Sequence, residues 1–174
     1  MDDSQEKKTL IDQAAEDLFN FAVEREDVKW LMGHFSPAAK VTPATFEYEL
    51  QILKIISVGW SISYHLEGHP KRKEVIGELF WRAVNNFSKA LSETTGLMIG
   101  QDIDYFEILK KRLDQYVQAM EDNPRAPEPA VVIGPVFAGL CGHRDDIFTV
   151  MAGSKMFANA VVRVRQYLEA SKLR

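Results

Sequence analysis

His65 and His69 stand four residues apart, the spacing at which two imidazoles on one helix face can share a metal ion. Glu74 lies about as far beyond the Gly68-His69-Pro70 turn as His65 lies before it, and Glu78 is one helical turn further on. A His/His/Glu/Glu metal site can be drawn from these four residues. Two features oppose it. Gly68 and Pro70 put His69 in the turn and not on the helix, and the paired Glu-x-x-His motifs of di-iron bundles are missing. The plainer reading is a hydrogen-bonded His65 and a solvated His69, and no cofactor is expected.

His65 also belongs to a second group. At about 100° per residue, Gln51, Lys54, Ser57, Ser61 and His65 fall on one narrow face of a helix spanning Leu50 to Leu66. Lys54 is the only formally charged residue in that stretch. An amine in such surroundings can serve as a depressed-pKa base or nucleophile, or as an anion partner. It can equally snorkel to water, or pair with a carboxylate from another helix. The stripe suits a small polar ligand, and suits the seam of a homodimer just as well.

A third pattern is one of small residues. Ala130, Gly134, Ala138 and Gly142 recur every four positions, and Ser154 and Ala158 repeat the theme in the last helix. On a helix they would form a face that another backbone, or a flat ligand, can approach closely. Close helix packing explains the pattern without a ligand. Pro135 leaves open whether one helix runs through the segment or a new one starts there with Gly134 as its cap.

The same region has helix-turn-helix spacing at Ala138 and Gly142, with Phe148 and Met151 at apolar positions. Its recognition helix would start Arg144-Asp145-Asp146, with no further cation until Lys155, and would meet phosphates badly, so nucleic-acid binding is not expected. The basic turn Lys71-Arg72-Lys73 signals either an anionic partner or a solvated surface. No nucleophilic triad, cysteine pair or glycine-rich phosphate loop is recognisable.

These residues need a scaffold. Leu53, Ile55, Ile56, Trp60, Ile62 and Leu66 cover most of the remaining circumference of the Leu50 to Leu66 helix, so neighbours must cover it on several sides. That makes it the central post of the fold, predicted over 43–67. Thr42-Pro43 supplies the N-cap and the first-turn proline, and Gly68-His69-Pro70 ends it and opens a third helix to about Gly96. A first helix opens at Ser4 and buries Leu10, Ile11, Ala14, Leu18, Phe21 and Ala22. The acidic cluster Glu24 to Asp27 breaks it ahead of Val28 to Met32. A fourth, capped by Asp102, buries Phe106, Leu109, Leu113, Tyr116, Val117 and Met120. The proline-rich stretch 123–129 is a loop, and a last helix runs over 145–170.

The expectation is an all-α chain of about six helices in a single bundle, residues 1–174. A subdivision into a four-helix core, 1–122, and a C-terminal helical hairpin, 129–174, joined by the 123–129 linker, is the alternative organisation.

A chain of 174 residues with 46% hydrophobic residues can bury an adequate core without disulfides or a structural metal. Its net charge of −4 argues against bulk affinity for nucleic acid or anionic membranes. A single cysteine, Cys141, fits a reducing compartment. The start, MDDSQEKKTLIDQ, has no long apolar core, so no signal peptide is expected, and no apolar run approaches the roughly 18 residues of a membrane span. A soluble, cytoplasmic protein is expected.

The functional expectation is a non-enzymatic interaction or regulatory module that self-associates, with Tyr48, Trp81 or Tyr105 on its partner surface. The alternative is a helical pocket protein that binds a small molecule or metal through Lys54, Ser61 and His65.

Overall fold

The computed structural model describes the backbone of residues 3–174 and side chains from Leu10 onward, so the expected cap Ser4 lies outside the described side chains. Seven α-helices, and no strand, occur among the described residues: α1 (Asp3–Val23), α2 (Glu26–Gly33), α3 (Pro43–His65), α4 (Pro70–Ile99), α5 (Tyr105–Asp122), α6 (Pro129–Leu140) and α7 (Ile147–Ala170). The protein is all-α, and the short α2 is the segment that the acidic break sets off from α1.

Each start has a local cause. Thr42 Oγ1 accepts from the backbone N–H of Thr45, and Pro43 supplies the preset φ of the first turn of α3. Asp146 does the same for α7 by accepting from the Thr149 N–H and hydroxyl, at 3.3 and 2.5 Å. The α5 cap is Asp104, which accepts from Glu107 N at 3.0 Å, and not the expected Asp102. Both aspartates could cap. The chain leaves α4 three residues later than expected, so the start of α5 moves with it. The α4 helix passes through Gly96 and stops only at Gly100, whose φ of 67° a side chain would resist.

The α3 helix packs against all six other helices. Leu50, Leu53, Val58 and Ile62 are fully or almost fully enclosed, so its near-continuous apolar circumference is used on every side. The α7 helix lies along α3 and α6, and α1 lies along α4. One hydrophobic cluster takes in buried residues from every helix, those after residue 128 included. The first-helix face differs in one respect from expectation: Leu10 is 55% exposed, and Ala15 takes an inner position. Leu91 of α4 also faces outward.

By length and composition α7 could cross a membrane, with an 18-residue window of mean hydropathy 1.2. Its inner face, Ala152, Met156, Phe157, Ala160, Val164 and Leu168, is instead part of the core.

Candidate functional site

The polar stripe is continuous along α3, but its residues are turned to partners inside the protein. Lys54 is 0% exposed. Its Nζ donates to the backbone oxygen of Glu24 at 2.9 Å and to Glu24 Oε1 at 2.8 Å. Asp27 Oδ2 lies 3.1 Å away as a charge contact without hydrogen-bond alignment. The ring of Phe21 faces the ammonium at 4.5 Å, and the Arg163 guanidinium stands 4.9 Å from that ring. One turn earlier, Gln51 Nε2 donates to Ala22 O at 3.1 Å.

The physical sense lies in the end of α1. The last carbonyls of a helix have no partner within it and carry its negative pole. Gln51 and Lys54 supply donors and a positive charge there, and the carboxylates of Glu24 and Asp27 neutralise the amine. The sequence alternative of a carboxylate from another helix is the one the structure adopts.

Ser57 and Ser61 turn inward on their own helix. Their hydroxyls donate to Leu53 O and Ser57 O at 2.7 and 2.6 Å. His65 Nε2 sits 3.0 Å from Val161 O on α7, so it must carry the proton and donate. Nδ1 is then a buried acceptor without a partner. Burial lowers the His65 pKa and the cations Arg174 and Arg165 lower it further, while the Val161 carbonyl opposes them. Three of the five stripe residues, Gln51, Lys54 and His65, thus reach α1, the α1–α2 break with α2, and α7, while the two serines stay within α3. None of the five lines the clefts at α2/α7, α3/α6/α7 or α4/α5.

The four residues of the drawn metal site are not brought together. His69 is the exposed residue ahead of α4, Glu74 points to solvent, and Glu78 pairs with Arg82 along α4. Among the described residues no three His, Cys, Asp or Glu side chains converge on one point.

The small-residue face splits. The α6 helix runs unbroken through Pro135 from Pro129. A Cβ on Gly134 would lie 2.3 Å from Ser154 Oγ and 2.6 Å from the backbone oxygen of Val150, so this glycine sets the approach of α6 to α7. Ala138 is buried beside it, and Ser154 Oγ donates to Ala130 O at 2.9 Å. Gly142 does not share the face: at φ 94° it ends α6, where His143 N reaches back to Ala138 O. Ala158 is exposed. The residue the pattern missed is Gly153, whose Cβ would meet three Phe137 atoms at 2.7–2.8 Å.

Sequence reasoning also missed a second buried charge on α3. Glu49 is 3% exposed and takes a two-pronged contact from Arg112 of α5, with Nη2 to Oε1 at 2.7 Å and Nε to Oε2 at 3.0 Å. Sixty-three positions separate the partners, so no local spacing could have revealed them. Beside them, burial and the Glu49 charge push the Cys141 thiol up to about 12 and raise the Tyr116 hydroxyl well above its usual value. A thiol held that firmly protonated is no nucleophile.

The clearest open feature lies elsewhere. A cleft of ≈ 140 Å³ separates α2 from the start of α7. Leu31, Phe46 and Ala152 form its floor, and Trp30, Phe148 and Met151 its walls. Those wall residues remain 56%, 46% and 50% exposed. An open trough of ≈ 420 Å³ continues it past Lys155 to Asn159 and Arg163. Tyr48 is also partly exposed, whereas Trp81 packs its indole over Gly59, where a Cβ would come within 2.3 Å.

Compared with protein-family models, with curated proteins and with solved structures, the chain matches none.

Proposed function

We propose that this protein is a non-enzymatic interaction module that self-associates, and that the α2/α7 cleft is the contact surface. One observation carries the reading: Trp30, Phe148 and Met151 stand half-exposed around an apolar cleft, with Ile147 beside them at 63% exposure. Scattered surface apolar residues need no explanation, but several large ones converging on a concavity mark a contact surface.

Two further points support it. Several groups that could do chemistry are engaged within the protein, Lys54 by Glu24 and Asp27, Glu49 by Arg112, and both serines by their own helix. The cleft proper is only ≈ 140 Å³ and the trough that continues it lies open to solvent, which suits a side-chain anchor better than an enclosed cofactor. The single buried thiol accords with a reducing, cytoplasmic setting.

The test is the molar mass in solution across a wide concentration range, by sedimentation equilibrium. The expected result is a mass that rises above that of one chain with concentration. A single-chain mass throughout removes the reading.

A further inference from the structure

We propose that the occupant of the α2/α7 cleft is the C-terminal tip of α4 from a second copy of this chain. The inference rests on the self-association reading and names its two halves. Leu97, Met98 and Ile99 are 89%, 78% and 58% exposed, the most exposed run of large apolar side chains among the described residues. They form the last turn of α4, which Gly100 ends with its positive φ, so they project as a knob.

The charges around knob and cleft are opposite. Next to the knob, the groove between α4 and α5 carries Glu93, Asp102 and Asp104 against the single cation Lys89. The charged residues lining the α2/α7 cleft and its trough are Asp27, Lys155 and Arg163. Lys54 is shared between Glu24 and Asp27, so that group carries one net negative charge, and Lys155 with Arg163 leave the cleft and trough one positive charge in excess. An apolar knob beside a groove of net negative charge therefore faces an apolar cleft and trough of net positive charge. Such a match brings apolar anchors into a concavity and fixes their orientation by charge.

Knob and cleft are different surfaces: exchanged reciprocally they close a two-fold pair, and used once per pair they run head-to-tail into a ring or a filament. Either is separable by mixing from a patch that pairs with itself.

Met98→Glu disables the knob and leaves the cleft intact. Met151→Glu disables the cleft and leaves the knob intact, and Trp30→Ala serves as a second cleft variant. All three positions are half-exposed or more, so the fold should tolerate them, which thermal unfolding by circular dichroism checks. By sedimentation velocity each variant alone is expected to run as a single chain. An equimolar mixture of Met98→Glu with either cleft variant is expected to form a two-chain complex and go no further, because one good knob and one good cleft remain. Wild type that associates while Met98→Glu associates equally well overturns the knob assignment and spares the self-association reading. Failure of the mixture to re-form a pair overturns it too. Wild type that never associates removes both.

Discussion

Two joints hold this protein together in opposite ways. At the α1–α2 break, α3 is fastened by matched charge: Lys54 is enclosed and meets two carboxylates and a carbonyl. At the α6–α7 crossing the helices are fastened by the absence of side chains, with Gly134 and Gly153 each leaving room for a group of the other helix. Both regions resemble ligand sites in the sequence, one polar and one flat, and in both the protein supplies its own occupant. The charge joint should tolerate loss of the whole ion group better than loss of half of it. The shape joint should tolerate no addition at all.

The largest effect is expected from stripping the carboxylates and leaving the amine. Glu24→Gln with Asp27→Asn strands the fully buried Lys54 ammonium, and breaking a buried pair in this way costs about 3–5 kcal/mol. At this chain length that corresponds to a fall in Tm of roughly 6–20 °C, read by calorimetry. A fall of only a degree or two would mean that water reaches Lys54 and that the joint is not the closed ion group described.

Next comes the shape joint. Gly153→Ala would force Phe137 aside, and Gly134→Ala would press on the backbone of Val150. Overpacking of this kind costs about 1–3 kcal/mol. Alanine is the better helix former by roughly 0.8–1 kcal/mol, so the sign decides: in a loose crossing the same change would stabilise. A chemical denaturation midpoint that rises in Gly134→Ala would refute the close approach.

Third, Lys54→Met removes the amine itself. The side chains of Glu24 and Asp27 are 35% and 20% exposed and can turn to water, so the expected loss is under about 2 kcal/mol, smaller than in the carboxylate double variant. If Lys54→Met proves as damaging as the double variant, the amine does more than balance two charges.

The sequence shows most of this skeleton and little of its surface. Thr42-Pro43, Pro70 and the enclosed stretch around Leu53 carry local signals, and α3 is where those signals place it. Asp102 and Asp104 carry the same chemical signal, and only the late stop of α4 at Gly100 decides between them. The four-residue repeat identifies Gly134 and Ala138, but on α7 it selects Ser154 and Ala158 and passes over Gly153, because packing between crossed helices depends on rotation as well as spacing. Glu49 and Arg112, and Lys54 with Glu24, are joined by the course of the chain and by no motif. The cleft is the least legible part. Apolar residues such as Trp30 and Met151 read as core in any pattern, and only the absence of a covering helix exposes them.

The smallest effect comes from the far end of the same stripe, where His65 lacks the partners that Lys54 has. Its Nε2–H is used on Val161 O and its Nδ1 has no hydrogen-bond partner, so a second proton would be buried without an acceptor. Burial, with Arg174 and Arg165 nearby, holds its pKa below the ordinary value against the pull of the Val161 carbonyl and Glu169. The sign follows. In the unfolded chain the ring takes a proton below about pH 6.5, while the folded chain still refuses it, so the unfolded state binds more protons there. The stability that His65 contributes is complete above that pH and is lost as pH falls through the unfolded value toward the lower folded one. His65→Gln keeps a donor for Val161 O but does not titrate. Its urea midpoint should fall less steeply than that of wild type as the pH drops from neutral into the mildly acid range, with the two proteins closest near neutrality. Parallel curves would place the acid sensitivity elsewhere and show that Nδ1 finds an acceptor when protonated.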